Sequence, residues 1–108
     1  MLMYTTALGR DVPPNEKQTI LEDAILDLLF NYRMNPQNPN NAPMKLSSIA
    51  HAVSADESLV VAALDALRED VPPLVEEAEP FHQERTFRLT GQGVRFIRNM
   101  PQGLASVL

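Results

Sequence analysis

The sequence contains no cysteine, which excludes a disulfide framework and a thiolate metal site and fits a reducing compartment, with the cytoplasm as the expected location. Histidine occurs only at His51 and His82, far apart and without a second ligand nearby, so zinc-type spacing is missing. His51 is expected on the surface of a helix and His82 at the tip of a hairpin. No long apolar run is present either. The opening "MLMYTTALGR" reaches two threonines after four residues, with no basic stretch ahead of them. That is too short for a signal peptide or a membrane span, and a soluble protein is expected. The four glycines include "GQGVRF", but Phe96 stands where a nucleotide-binding run needs its third glycine, and no parallel βαβ context precedes it. Neither "TTALG" nor "LASVL" has a nucleophile elbow around a serine. Carboxylates are plentiful, yet no pair is recognisably set in a cleft. The expectation is a non-enzymatic chain with no cofactor and no metal.

What is present is enough for one core. The chain has 108 residues, 44% of them hydrophobic, and a domain of this size buries roughly two-thirds of its unfolded surface. The net charge of -5 is unevenly spread. Residues 1–44 carry 3 basic and 5 acidic groups, 45–79 carry 2 and 8, and 80–108 carry 4 and 1. Long-range attraction of the whole molecule to polyphosphate is therefore not expected, although the last third has the sign for it.

Residues 1–14 read as an arm that ends in "DVPP", where two prolines oppose helix continuation and leave Asn15 as a cap. In "NEKQTILEDAILDLLFNYR" the three-and-four spacing of Ile20, Leu21, Ala24, Ile25, Leu28 and Leu29 predicts an amphipathic helix, with Lys17, Glu22, Asp23 and Asp27 in solvent. "MNPQNPNNAP", 34–43, is a mobile loop rich in turn formers, a connector or a binding loop that favours no one chemistry. Met44 to Leu46 allow a very short strand, and "SSIAHAV" allows one or two helical turns with Ile49, Ala50 and Val53 inward. A further helix follows, capped by Asp56 or, through a Ser54/Glu57 capping box, two residues earlier, with Leu59, Val60, Ala63, Leu64 and Leu67 as its apolar stripe. A second "DVPP" at 70–73 stops it. "LVEEAE" then reads as a strand, "PFHQE" as a turn, and "RTFRLT" as a second strand that sets Phe87 and Leu89 against Arg85, Arg88 and Thr90. Gly91 and Gly93 lead into a short helix, "VRFIRNM", which Pro101 ends before an apolar tail over 101–108.

The fold class expected is mainly α with a small β hairpin. The order of elements, and "LSSIAHAVSADESLVVAALDALREDVPPLVEE" with "FRLTGQG", resemble the winged-helix (winged helix-turn-helix) superfamily over about residues 16–98. The resemblance implies a three-helix core, a two- or three-stranded wing and a short C-terminal helix, within a domain over 15–100. Ile49 and Ala50 would pack the second helix, Val60, Ala63, Leu64 and Leu67 the third, and Leu74 and Val75 would start the wing. Ser54 stands where the inter-helix turn of the family often has glycine.

In that family the third helix is the usual reader of DNA. Here its outward face shows Ser58, Ala62, Asp65, Ala66 and Glu69 with Val61 on the flank, and none of the Arg, Lys, Asn or Gln that match base edges. A carboxylate about 7 Å from a phosphate is repelled by roughly 0.6 kcal/mol even at the dielectric of water, so Asp65 and Glu69 disfavour a groove-docked pose. Such a charge-poor, small-residue face suits contact with protein, and these six residues are the expected partner-binding set. The alternative is a DNA-binding transcriptional regulator that uses Lys45, Arg85, Arg88, Arg95 and Arg98 as a basic edge. Against it, Glu76, Glu77 and Glu79 lie in the partner strand, and cross-strand ion pairs account for Arg85 and Arg88 more simply than phosphate binding. The apolar ends "MLMY" and "GLASVL" lie outside the minimal fold; the resemblance implies a homodimer through terminal elements, within or outside a regulatory complex.

Overall fold

The computed structural model describes residues 4–5, 11–12, 17–38 and 40–99. The cap expected at Asn15 and the apolar tail lie outside the described residues. Four helices and a small three-stranded antiparallel sheet make up the architecture, an arrangement compatible with a winged helix. Within the segment expected to be a plain arm, β1 (Tyr4–Thr5) pairs antiparallel with β2 (Asp11–Val12). Next come α1 (Lys17–Met34), β3 (Met44–Lys45), α2 (Leu46–Val53) and α3 (Glu57–Glu69), then β4 (Val75–Phe81), β5 (Glu84–Leu89) and α4 (Gly91–Arg98). No helix among the described residues is long and apolar enough to cross a membrane.

One core joins α1, α2, α3, α4 and the inner face of the sheet. Its fully buried large side chains are Ile25, Leu26, Leu29, Ile49, Val60, Leu64, Leu67, Val75, Phe87, Leu89 and Ile97. The buried stripe of α1 differs from the expected one. Leu26 joins Ile25 and Leu29 at its centre, Ile20 and Ala24 are only half-buried, and Asp23, expected in solvent, is fully buried. "LEDAILDLL" is apolar around more than half its circumference, so its spacing alone admits two rotations, and packing selected the one through Leu26. Asp27 is also half-buried; burial raises its pKa, and a hydrogen bond with Asn31 partly offsets the rise. Arg33 ties the far end of α1 to the sheet by donating to the Leu89 carbonyl at 2.7 Å.

The asparagine-rich connection is built from turns that its own side chains close. Asn38 donates to the Tyr32 carbonyl at 3.0 Å and accepts from the Ala42 amide at 2.8 Å, and Asn35 accepts from the Gln37 amide at 2.8 Å. These are the local backbone bonds that make asparagine a turn residue.

Between α2 and α3, Ser54 adopts the left-handed conformation with φ 56° and ψ 48°, while the Ala55 amide returns to the Ala50 carbonyl at 3.1 Å. Asp56 is the N-cap of α3 by its backbone, without a side-chain capping bond, so the helix starts at Glu57 rather than two residues earlier. A non-glycine residue in this region costs roughly 1–2 kcal/mol, against a smaller entropic cost for glycine in the unfolded chain. Ser54→Gly is therefore expected to raise stability by about 0.5–1 kcal/mol, read as a higher urea midpoint at unchanged m. A midpoint that falls would mean that the serine side chain contributes something the backbone does not reveal.

In the sheet the order is β3-β5-β4, with Met44 opposite Phe87, Val75 opposite Leu89 and Glu76 opposite Arg88. The turn of the hairpin is shorter than expected. Pro80 and Phe81 belong to β4, and only His82 and Gln83, at φ 52° and 67°, make the turn. Two positive φ values in a two-residue loop are the geometry that continues the twist of the strands. Proline is tolerated at position 80 because β4 is an edge strand, bulged between Ala78 and Phe81. From this hairpin Glu84 accepts from the Ser47 amide at 2.7 Å, which satisfies the start of α2 in place of a local cap; hydrogen bonding with the Ser47 side chain, and then with its amide, lowers the pKa of the carboxyl.

Candidate functional site

The outward surface of α3 divides into two flanks with different chemistry. Its inner stripe is Val60, Ala63, Leu64 and Leu67, all essentially without exposure, and Val61, expected in the partner-binding set, is half-buried and packed against the core. Ser58, Ala62 and Glu69 are exposed, and Asp65 and Ala66 are half-buried. Leu59, expected inward, is instead 56% exposed. Positions 60, 63, 64 and 67 already fill the arc against α1 and α2, and residue 59 falls just outside it on the side of α1.

On the wing side, α3 is cross-linked to the hairpin by charge. Arg68 reaches Asp65 at 3.3 Å and Glu77 at 3.1 Å, and Arg85 reaches Glu77 at 2.9 Å and Asp65 at 3.7 Å. Two carboxylates and two guanidiniums thus form one closed group between helix and strand. Its effect on ionisation is mutual: the hydrogen bond from Arg85 lowers the pKa of Glu77, and the same bond raises that of Arg85. Arg85 also lies over the Phe87 ring, 5.1 Å from its centroid. Asp65, which would otherwise repel an approaching phosphate, is spent on holding the wing.

The five cations expected along one basic edge are not on one edge. Residues 85, 87 and 89 share a strand face, so Arg85 points with Phe87 and Leu89 toward α3, contrary to the alternation expected for it. Arg88 points to the other face, where it is hydrogen-bonded and ion-paired to Glu76, its register partner. Lys45, on β3, lies over the exposed Phe81 ring at 5.7 Å. On α4, Arg98 contacts the Met34 sulfur at 3.8 Å, and Arg95 is exposed with no partner among the described residues. Both hairpin arginines are thus occupied by the carboxylates of β4, and they face opposite ways.

Toward α1 the α3 surface is apolar. Leu59 and Ala62 line a recess of about 180 Å³ together with Leu21 and Gln18 of α1. Periodicity missed this feature, because it assigned both leucines to the core. Leu59 follows the helical spacing of the stripe, so nothing in the sequence marked it as the residue left outside. His51 and His82 are both exposed, on α2 and in the hairpin turn respectively. No group of three His, Asp or Glu side chains among the described residues is placed to hold a metal ion. Gly91 and Gly93 fall in the first turn of α4, where Thr90 accepts from the Gly93 amide at 2.9 Å as the N-cap.

Comparison with known proteins returned no matching family model, no curated protein and no solved structure.

Proposed function

We infer that this chain is a non-enzymatic winged-helix module that uses the outward side of its third helix for protein contacts, with a second copy of itself or with another component of a regulatory complex. The observation that carries this reading is the state of α3. Its wing-side carboxylate and arginine are consumed by the Asp65–Arg68–Glu77–Arg85 group, and its other flank leaves Leu59 56% exposed beside an apolar recess. A face without free donors for base edges and with an uncovered large apolar side chain is suited to a protein surface and unsuited to a groove lined by phosphate. Cytoplasmic location belongs to the same proposal.

A DNA-binding regulator is the reading this one must displace. One observation favours it: Arg95 on α4 is exposed and unpaired among the described residues, with Arg98 one turn further along. Fluorescence anisotropy of a mixed-sequence duplex, titrated with the protein at low and at moderate salt, separates the two. The protein-contact reading expects no saturable binding at either salt. Binding that falls steeply with salt, and that is lost when Arg85 and Arg88 or Arg95 and Arg98 become alanine, would replace it with the DNA-binding reading.

A further inference from the structure

The C-terminal ends of α1 and α4 meet at one corner of the molecule, where the Arg98 guanidinium rests on the Met34 sulfur at 3.8 Å. Arg95 lies one turn back from Arg98 on the outward side of α4, and Arg33 stands beside Met34 in the last turn of α1. These three differ from the arginines of α3 and the hairpin. Arg68, Arg85 and Arg88 each meet a carboxylate within ion-pair distance, whereas among the described residues none is so placed against Arg33, Arg95 or Arg98. Residues 90–99 include no acid, and the last acid of α1 is Asp27, about two turns before Met34. Its raised pKa comes from burial, against a hydrogen bond with Asn31, and shows no influence of a guanidinium, which would lower it. Asp70 is across the helix: it lines a recess with Phe96, on the flank of α4 opposite Arg98. The helix ends offset part of the positive charge, since each C-terminus carries roughly half a negative charge. Three guanidiniums against two such ends leave the corner with roughly two positive charges unmet. Met34, in contact with Arg98, is 41% exposed.

We propose that this corner binds an acidic segment of another protein, which sets carboxylates against Arg95 and Arg98 and an apolar side chain on Met34. A guanidinium presents a planar fork that matches a carboxylate, and the methionine thioether adapts to varied apolar partners. This surface is separate from the outward side of α3, so the inference goes beyond the protein-contact reading and stands without it. A nucleic acid is the poorer occupant. Its phosphates run far beyond one corner, onto a molecule of net charge -5 whose hairpin arginines are already paired. A segment with a few carboxylates reads only the local charge, within a Debye length of about 8–10 Å.

The test uses the full chain and two labelled synthetic peptides of equal length, each with a central leucine. One carries glutamates on either side of the leucine, and the other carries glutamines there. By fluorescence anisotropy the glutamate peptide is expected to bind saturably, at least about tenfold tighter than the glutamine peptide, and to weaken as salt is raised. Arg95→Gln alone is expected to weaken it about threefold, the double variant Arg95→Gln/Arg98→Gln about tenfold, and Met34→Ser about threefold. Arg88→Gln changes the net charge as much as Arg95→Gln does, but in the hairpin, and is expected to leave affinity unchanged. Circular dichroism and urea titration confirm that these surface variants stay folded. No saturable binding of the glutamate peptide, equal affinity for the two peptides, or equal losses from Arg88→Gln and Arg95→Gln would overturn the proposal. A mixed-sequence duplex that binds more tightly than the glutamate peptide, and is released by the double variant, would overturn it by making nucleic acid the occupant. Self-association by light scattering that the double variant abolishes would overturn it by making a second copy the occupant.

Discussion

Phe87→Ala is expected to cost about 3–5 kcal/mol of folding stability, a large fraction of the total for a domain of this size. Phe87 is fully buried in β5, the central strand of the sheet, with Met44 on one side in β3 and Glu77 on the other in β4. Truncation removes the apolar contacts of a whole ring and leaves a cavity in the core that the surrounding side chains can fill only in part. It also takes away the surface on which the Arg85 guanidinium rests, 5.1 Å from the ring centroid. The measurement is urea unfolding followed by circular dichroism, with the lost stability appearing in the midpoint at unchanged m. Leu59→Ala serves as the contrast. Its side chain is 56% exposed, and the substitution is expected to cost no more than about 0.5 kcal/mol. Were the two variants to destabilise alike, Leu59 would belong to the core and the recess would have no open lip.

That contrast marks where sequence periodicity stops being informative. Val60, Ala63, Leu64 and Leu67 on α3, Ile49 and Ala50 on α2, and Phe87 and Leu89 on β5 were legible because each sits at the spacing its element demands, with polar residues opposite. Leu59 was not, because hydrophobicity says that a side chain prefers burial and nothing about whether the fold has room. On α1 the difficulty was an excess of apolar residues, which hid Leu26 and put Asp23 on the wrong side. At the hairpin, Pro80 suggested a turn, and only the pairing partner reveals that an edge strand can carry it.

The charged group shows a second limit. Ion pairing of Arg85 and Arg88 with the glutamates of β4 follows from two strands of opposite charge in sequence. The participation of Asp65 and Arg68 does not, since it depends on how α3 crosses the hairpin, which is a property of packing. Parity along β5 was available from the start. Residues 85 and 88 differ by three and cannot share a strand face, so a single basic edge through both was excluded by the pleat alone. The same tertiary closeness neutralises the flank of α3 that faces the hairpin and leaves the flank toward α1 apolar.

Gly93→Ala is the other large expected effect, and it tests how α4 is joined to the wing. A Cβ at position 93 would lie 2.3 Å from the Leu74 carbonyl oxygen, with Leu89 side-chain carbons at 2.7 and 2.8 Å. The leucine could rotate, but the carbonyl is fixed by its own bonds. The Thr90 amide donates to that oxygen at 3.0 Å, and the Thr90 hydroxyl both donates to the Pro73 carbonyl at 2.8 Å and accepts from the Gly93 amide at 2.9 Å. Hence the first turn of α4 must move away from β4, and those bonds and the burial of Val94 and Ile97 must loosen with it. A loss of about 2–4 kcal/mol is expected, at the upper end of what an added methyl group costs in a packed interior. Gly91, two residues earlier in the same turn, has nothing within 4 Å of its virtual Cβ. Gly91→Ala is accordingly expected to be neutral or to stabilise by up to about 1 kcal/mol through helix propensity. Opposite signs from two glycine-to-alanine changes within one helical turn would locate the constraint in the approach of backbone to backbone at Leu74. Similar small effects from both would mean that α4 is not seated against the start of the wing.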